Sequence, residues 1–329
     1  MTALPAALAP SAADFLHPPV VTNAGGCVRT VGVEIEFAGL TALEAVEALR
    51  RELGGTVVER DPHAFLLEGS AVGDLFVELD NRYLHPDKTR GTLLGGIMPT
   101  LATWLGSAAT TVIPCELVTA PVPIDRLHEV DRAVAVLRNA GGRGTQDGWL
   151  YALGLHFNPE APRLDAPTVV ATLKAFVLLG AWLQRQVAPD PTRHALGFAD
   201  PFPDAYARRL VSPDYWPTLP FFIDHYLGAN ATRNRGLDLL PLLAFLDEGR
   251  VRAALPGTKI RPRPTFHYRL PDARVSDPGW SIAPDWNRWV AVERLACDRG
   301  RLDALGEAFR AYTGDAKGWA ELTERIALA

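Results

Sequence analysis

The stretch V-G-V-E-I-E-F, residues 31–37, predicts a β-strand because four of its seven residues are β-branched or aromatic. Side chains alternate between the two faces of a strand, so Glu34 and Glu36 share one face and the apolar residues share the other. Two neighbouring carboxylates on an otherwise apolar strand are costly unless a cation or a hydrogen-bond donor meets them. The alternative is the solvated outer face of an edge strand.

Four later segments repeat this alternation of apolar and polar residues, which favours a buried polar site over a solvated edge. If all five segments belong to one sheet, its polar face is a trough lined with carboxylate oxygens and imidazole nitrogens. A lone histidine in a strand is more often structural than a ligand, but a histidine within a repeated polar pattern favours a ligand. The later segments are 74–80, 114–120, 149–159 and 259–270, and their polar faces carry Glu78, Asp80, Glu116, His156, Asn158, His267 and Arg269.

The gathered carboxylates predict bound cations, because without them each carboxylate would raise the pKa of its neighbours. Carboxylate-rich sites favour Mg²⁺ or Mn²⁺ over zinc, and Mg²⁺ typically completes its shell with substrate phosphates. Lys259, Arg261 and Arg263 open the last segment, before its alternating residues 265–270, and with Arg269 they would neutralise such phosphates. The alternative for this basic run is a solvated charged surface.

Composition indicates a globular protein of one large domain or two ordinary ones, with 329 residues and a net charge of −5. That charge argues against a nucleic-acid partner. Three scattered cysteines fit the reducing cytoplasm. The apolar run 168–183 is shorter than a membrane span and contains Lys174, so it predicts a buried helix and no membrane partner. We expect a loosely ordered leader at 1–27, without signal-peptide features, and a single domain at 28–329.

Helices and short strands are expected between the polar strands. Thr41 and Glu44 form a capping-box pattern that predicts a helix from 41 to 53. The glycine-rich run 141–148 is a weak candidate for phosphate binding because it lacks a G-K-[ST] ending. The remaining predicted helices are 91–106, 123–140, 168–187, 217–227, 237–246 and two or three pieces after 283, and the short strands are 56–60 and 64–67.

Four motifs in this order resemble the putative amidoligase family, which belongs to the carboxylate–amine ligase superfamily of glutamate–cysteine ligase and glutamine synthetase. The likeness extends from about residue 31 to about residue 275. It implies an α+β fold in which a curved, mostly antiparallel sheet forms an active-site funnel with helices on its outer face, as in the glutamine synthetase catalytic domain. The motifs are G-V-E-I-E-F at 32–37, E-L-V-T-A-P at 116–121, G-L-H-F-N at 154–158 and Y-R-L-P-D at 268–272.

The resemblance also implies an ATP-dependent ligase that phosphorylates a small-molecule or peptide carboxylate and transfers it to an amine. ATP and Mg²⁺ or Mn²⁺ would be the cofactors. Glu34, Glu116 and Arg269 would be catalytic. Metal ligands would be Glu34, Glu36, Glu78, Asp80, Glu116, His156 and His267. Nucleotide or substrate contacts would come from Asn158, Lys259, Arg261, Arg263 and, in the stretch T-R-N-R-G-L-D-L-L-P, from Arg233 and Arg235.

One position departs from the family pattern. The family usually has glutamate two residues before the arginine of its last motif, and this chain has His267 there. The change either alters one metal site or marks an inactive binder. Two alternatives therefore stand beside the ligase: a metal-dependent hydrolase that uses His156, His267 and carboxylates around an activated water, and a pseudo-ligase that binds nucleotide or peptide without turnover.

Overall fold

The computed structural model describes residues 14–80, 114–147, 153–187 and 199–327. In these residues, seven strands form one antiparallel sheet. β5 and β6 pair along one edge of the central strand β1 and β7 pairs along the other, while β4, β3 and β2 follow outward from β5. The strands are β1 (Thr30–Phe37), β2 (Thr56–Asp61), β3 (Ala64–Ser70), β4 (Gly73–Leu79), β5 (Cys115–Thr119), β6 (Val122–Pro123) and β7 (Leu155–Pro159).

Helices supply the α part of this α+β fold. The capping box of Thr41 and Glu44 is present at the start of the first helix. The predicted helix 123–140 is instead a 3₁₀ turn, Ile124–Glu129, followed by a shorter α-helix, and the predicted helix 91–106 lies outside the described residues. The helices are α1 (Ala42–Leu53), α2 (Val130–Asn139), α3 (Ala166–Val187), α4 (Asp204–Leu210), α5 (Leu219–Ala229), α6 (Leu240–Leu246), α7 (Glu248–Ala254), α8 (Ala283–Cys297), α9 (Arg299–Ala311) and α10 (Ala316–Ala327).

The apolar face of the sheet is buried in the core, as the alternation in β1 predicts. Val33 and Ile35 are fully buried, so β1 is not a solvated edge strand. Helix α1 packs against β3 and β4, and Trp286 of α8 packs on Phe157 of β7 with ring centroids 5.9 Å apart. The polar residues of the same strands are left on the opposite face.

Helix α3 is the long apolar helix of the core. It packs against α8, α9 and α10, and its Lys174 donates from Nζ to the carbonyl of Ser212 at 2.8 Å. Its length and composition alone would allow it to cross a membrane. However, 67% of its most apolar window is buried inside the protein, as in the core helix of a globular domain.

The prediction of a fifth regular strand at 259–270 is wrong, because residues 264–273 form only isolated β-bridges. This segment runs beside β7 through isolated bridges, in which Phe157 and Tyr268 exchange backbone hydrogen bonds of 3.0 and 2.9 Å. Prolines at 262, 264 and 271 lack the N–H groups that a continuous ladder requires. On its other side, the N–H of Asp238 donates to the carbonyl of His267 at 2.9 Å. This pairing places Asp238 next to His267.

A buried ion pair joins the start of the sheet to the C-terminal helices. Arg29, just before β1, is fully buried and forms two hydrogen bonds of 2.7 Å with the carboxylate of Glu293 in α8. Trp289 donates to the same carboxylate at 2.7 Å. Residues 14–16 also contact α8, where Trp286 donates from its indole to the carbonyl of Leu16 at 2.8 Å. The first 13 residues of the predicted leader lie outside the described part of the chain.

Candidate active site

Strand register brings four acidic residues and one histidine onto one face of the sheet. Glu78 of β4 lies opposite Glu116 of β5, which in turn lies opposite Glu36 of β1. On the other edge of β1, Glu34 lies opposite His156. Residues directly opposite in antiparallel strands project to the same face, so these side chains form a row across four strands.

Glu34 contacts four side chains of the site. Its Oε2 lies 3.0 Å from His156 Nδ1, and its Oε1 accepts a hydrogen bond of 2.8 Å from the amide of Asn158. Arg263 Nη1 donates to the same Oε1 at 3.3 Å, and His267 Nε2 lies 3.7 Å from Oε2. Arg263 thus belongs to the site, and this part of the basic run is not a solvated charged surface.

Glu36 and Glu116 form a second group with the other side of the His156 ring. Glu36 is almost fully buried, and its Oε2 accepts a hydrogen bond of 2.9 Å from the N–H of Gly154. Its Oε1 lies 3.7 Å from His156 Nε2. Among the described residues, two sets of donor atoms lie within 4.8 Å of one another: Glu34, His156 and His267, and Glu36, Glu116 and His156.

The protonation states of Glu34 and His156 suit metal binding. Burial raises the pKa of Glu34, but the hydrogen bond with His156 and the nearby imidazole of His267 outweigh burial and hold this pKa well below its ordinary value. Burial lowers the pKa of His156 well below its ordinary value, more than the neighbouring Glu34 raises it. An ionised carboxylate and a neutral imidazole are the forms that coordinate divalent cations, so the residues fit such an ion.

The remaining predicted acidic ligands lie at the margin of the cluster. Glu78 is half-buried, and burial raises its pKa, with the charge of Arg261 acting in the opposite direction. Asp80 is buried just past the end of β4, where its N–H donates to the carbonyl of Pro114 at 2.9 Å. Neither residue belongs to a set of converging donor atoms in the described part of the chain.

The predicted arginines divide between the cluster and its surroundings. The positive charge of Arg269 lowers the pKa values of His156 and Asp238, which places it beside the cluster, and its Nη1 donates to the carbonyl of Arg233. Arg233 Nε lies 3.2 Å from Asp238 Oδ2. Arg235 is directed elsewhere, because it donates to Asn230 at 2.9 Å and to the carbonyl of Pro201.

The basic run, residues 259–263, is exposed to solvent at its start. Lys259 and Arg261 are exposed, whereas Arg263 is only partly so. The carbonyl of Lys259 accepts a hydrogen bond of 3.4 Å from Arg233 Nη1. The run thus passes from solvent towards Glu34 along the chain.

Asp238 is the site residue that sequence reasoning missed. It is fully buried, its Oδ2 lies 3.6 Å from His267 Nδ1, and its Oδ1 accepts a hydrogen bond of 2.9 Å from the N–H of Leu240. Burial raises its pKa, but His267, Arg233 and Arg269 outweigh burial and lower it. The available signal was a single acid inside the apolar run L-D-L-L, residues 237–240.

Fold and site together define an α+β protein with a carboxylate–imidazole cluster on the polar face of an antiparallel sheet. The chain belongs to the putative amidoligase family: the family described as "Putative amidoligase enzyme" matches residues 28–291. That range contains the whole sheet and the cluster. No curated protein and no solved structure matches the chain.

Proposed function

We propose that this amidoligase is an ATP-dependent carboxylate–amine ligase whose cluster binds divalent cations and the nucleotide phosphates. The observation that carries the proposal is the row of Glu78, Glu116, Glu36 and Glu34 with Arg263 at its edge. Ordinary strands do not gather acids on an enclosed face without a counter-charge. Bound Mg²⁺ or Mn²⁺ would supply that charge and complete its shell with phosphate oxygens.

The residues of the chain divide into holding and screening roles. Glu34, Glu36 and Glu116 would hold the cations, with Asn158 fixing the orientation of Glu34 through their 2.8 Å hydrogen bond. Arg263 and Arg269 would screen the negative charge that develops during phosphoryl transfer. Lys259 and Arg261, both exposed, would guide the nucleotide to the site.

The proposed reaction has two displacement steps. An oxygen of the acid substrate bonds to the γ-phosphorus of ATP, and ADP leaves. The amine nitrogen then bonds to the acyl carbon, inorganic phosphate leaves, and the nitrogen loses a proton. The polar face of the sheet would be the wall of a glutamine synthetase-like funnel, and the acid and the amine would be small molecules or peptides. Three free cysteines fit a reducing cytoplasmic setting.

A metal-dependent hydrolase is the second candidate, and the pair of imidazoles beside Glu34 is the observation that favours it. The rings of His156 and His267 lie 5.4 Å apart, in reach of one carboxylate. Two imidazoles and a carboxylate resemble catalytic sites that activate water. This candidate predicts turnover of an amide or ester without nucleotide.

ADP release tests the ligase proposal. The full-length protein is incubated with ATP, Mg²⁺ or Mn²⁺ and a panel of amino acids, short peptides and amines. We expect ADP release that depends on an acid–amine pair, and a loss of at least about 100-fold in Glu34→Gln and Glu116→Gln, because each removes charge that balances the cations. Isotope transfer from an ¹⁸O-labelled acid to inorganic phosphate would report the acyl phosphate.

The matched control is Glu59→Gln, which makes the same substitution at an exposed position of β2 and should leave ADP release unchanged. Absence of both ADP release and metal-dependent ATP binding in wild type refutes the ligase. ATP binding without turnover for any pair would favour the pseudo-ligase, and nucleotide-independent hydrolysis would favour the hydrolase.

A further inference from the structure

Glu34, His156 and His267 have the spacing of ligands to one cation. Two donor atoms that are each about 2.0–2.2 Å from a common metal lie roughly 3.0–3.7 Å from one another. The Glu34 carboxylate oxygen Oε2 is 3.0 Å from His156 Nδ1 and 3.7 Å from His267 Nε2. The donor atoms of the three side chains all lie within 4.8 Å of one another, so the three side chains can converge on one cation.

The two imidazole rings carry ring nitrogens whose hydrogen bonding is unmet. Both side chains are almost completely buried, with 4% of each residue exposed. Within the described residues, His156 Nε2 and both ring nitrogens of His267 make no hydrogen bond. Buried polar atoms are rarely left in this condition, and an exception points to an unseen partner. Of these atoms, His267 Nε2 faces Glu34, whereas His156 Nε2 faces Glu36, so it is the His267 nitrogen that points to a ligand beside Glu34. This observation is independent of the acidic cluster itself.

Asp238 lies behind His267, on the side of the ring away from Glu34. Its Oδ2 is 3.6 Å from Nδ1 of His267, whereas Nε2 of the same ring faces Glu34. Arg233 and the N–H of Leu240 hold the Asp238 carboxylate in place, at 3.2 and 2.9 Å. A carboxylate behind a histidine is the arrangement that fixes the tautomer and ring orientation of metal-binding imidazoles.

We propose that Glu34, His156 and His267 form a two-histidine, one-carboxylate site for a divalent transition metal, such as Mn²⁺, Fe²⁺ or Zn²⁺, in preference to Mg²⁺. Imidazole donors suit these metals, whereas Mg²⁺ prefers oxygen donors and retained waters. Asp238 is a positioning residue for His267. The other donor set, with two carboxylates from Glu36 and Glu116, suits Mg²⁺. The role of this metal in turnover rests on the proposed ligase function, but its binding does not.

Metal titration without nucleotide tests the proposal. Full-length protein, freed of metal by chelation, is titrated with Mn²⁺ followed by the EPR signal of the free ion, and with Zn²⁺ against a chromophoric chelator. Mg²⁺ is then added as a competitor of bound Mn²⁺. We expect Mn²⁺ and Zn²⁺ to bind at least about 100-fold more tightly than Mg²⁺, and pulsed EPR of bound Mn²⁺ to show couplings to two imidazole nitrogens.

Variants assign the preference to particular side chains. His267→Glu replaces the imidazole with an oxygen donor and should lower the ratio of Zn²⁺ to Mg²⁺ affinity at least about tenfold. Asp238→Asn should weaken Zn²⁺ binding about 10–100-fold, the range for loss of a carboxylate that orients a metal-binding histidine. His63→Ala, which removes an exposed imidazole, should bind metals as wild type does.

The proposal is overturned if Mg²⁺ displaces Mn²⁺ at comparable concentration, or if bound Mn²⁺ in the wild-type protein lacks imidazole couplings. The EPR measurement on wild-type protein needs no variant, so it tests the proposal even if a substitution at His267 prevents folding. Selective metal binding without any ADP release would refute the ligase function and still support this site. ADP release with Mg²⁺ alone, without selective binding of Mn²⁺ or Zn²⁺, would support the ligase function and refute this site.

Discussion

Removing one partner of the buried Arg29–Glu293 pair is expected to destabilise the protein severely. Arg29 makes five hydrogen bonds of 2.6–2.8 Å: two to Glu293, two to the carbonyl of Glu160 and one to the carbonyl of Val20. The two side chains expose only 1% and 5% of their surface. Truncating one partner of such a pair leaves a buried charge uncompensated and costs about 3–5 kcal/mol. We therefore expect Arg29→Met and Glu293→Met each to lower the free energy of unfolding by that amount.

The double variant separates the energy of the charge interaction between Arg29 and Glu293 from the packing of their side chains. Arg29→Met with Glu293→Met removes both charges, so its loss should be smaller than the sum of the single losses by about 2–3 kcal/mol. Urea unfolding followed by tryptophan fluorescence measures this, because the chain has eight tryptophans, and one of them, Trp289, donates to Glu293. Arg60→Met is the matched control: Arg60 and Glu68 are 3.7 Å apart and about half exposed, so the loss should stay below about 1 kcal/mol. Additive losses, or a loss below 1 kcal/mol for Arg29→Met, would refute the reasoning.

Three further predictions concern a buried amine, a close helix contact and the cations. Burial lowers the pKa of Lys174 to about 8 from its ordinary value of 10.5. As pH rises, the folded state therefore loses the Lys174 proton before the unfolded state does. The free energy of unfolding should increase by up to about 3 kcal/mol between pH 8 and 10.5. Denaturant titrations measure this increase, and Lys174→Met should abolish it. Gly306→Ala should destabilise the protein by about 1–3 kcal/mol despite alanine's better helix propensity, because the added Cβ would lie 2.1 Å from the carbonyl oxygen of Val211. The control is Gly300→Ala in the same helix, whose added Cβ would lie 3.8 Å from its nearest atom and should not destabilise the protein. Mn²⁺ at about 100 times its Kd should raise the free energy of unfolding of the wild-type protein by about 2.7 kcal/mol, and by less in Glu34→Gln. An equal increase in wild type and Glu34→Gln would contradict Glu34 as a metal ligand.

Local patterning was sufficient to predict the strands that build the site. Alternation in V-G-V-E-I-E-F and in residues 74–80 and 114–120 defined β1, β4 and β5, because one face of each is buried. The capping box of Thr41 likewise defined the start of α1. These are short-range signals, and each is complete within a few residues.

Long-range contacts could not be predicted in the same way. Nothing local states that Glu116 lies between Glu36 and Glu78, since register depends on the whole sheet. The segment 264–273 alternates like a strand, yet its prolines remove the donors that a regular strand needs. Asp238 stands in an apolar run and acquires its place only when its backbone pairs with His267.

The alignment of four acids and His156 across four strands restricts which insertions and deletions the chain can tolerate. Loss of a single residue inside β5 would turn Glu116 into the core and present Cys115 or Leu117 to the cluster instead. Evolution of this protein is therefore expected to proceed by substitution, rather than by insertion or deletion, within these strands.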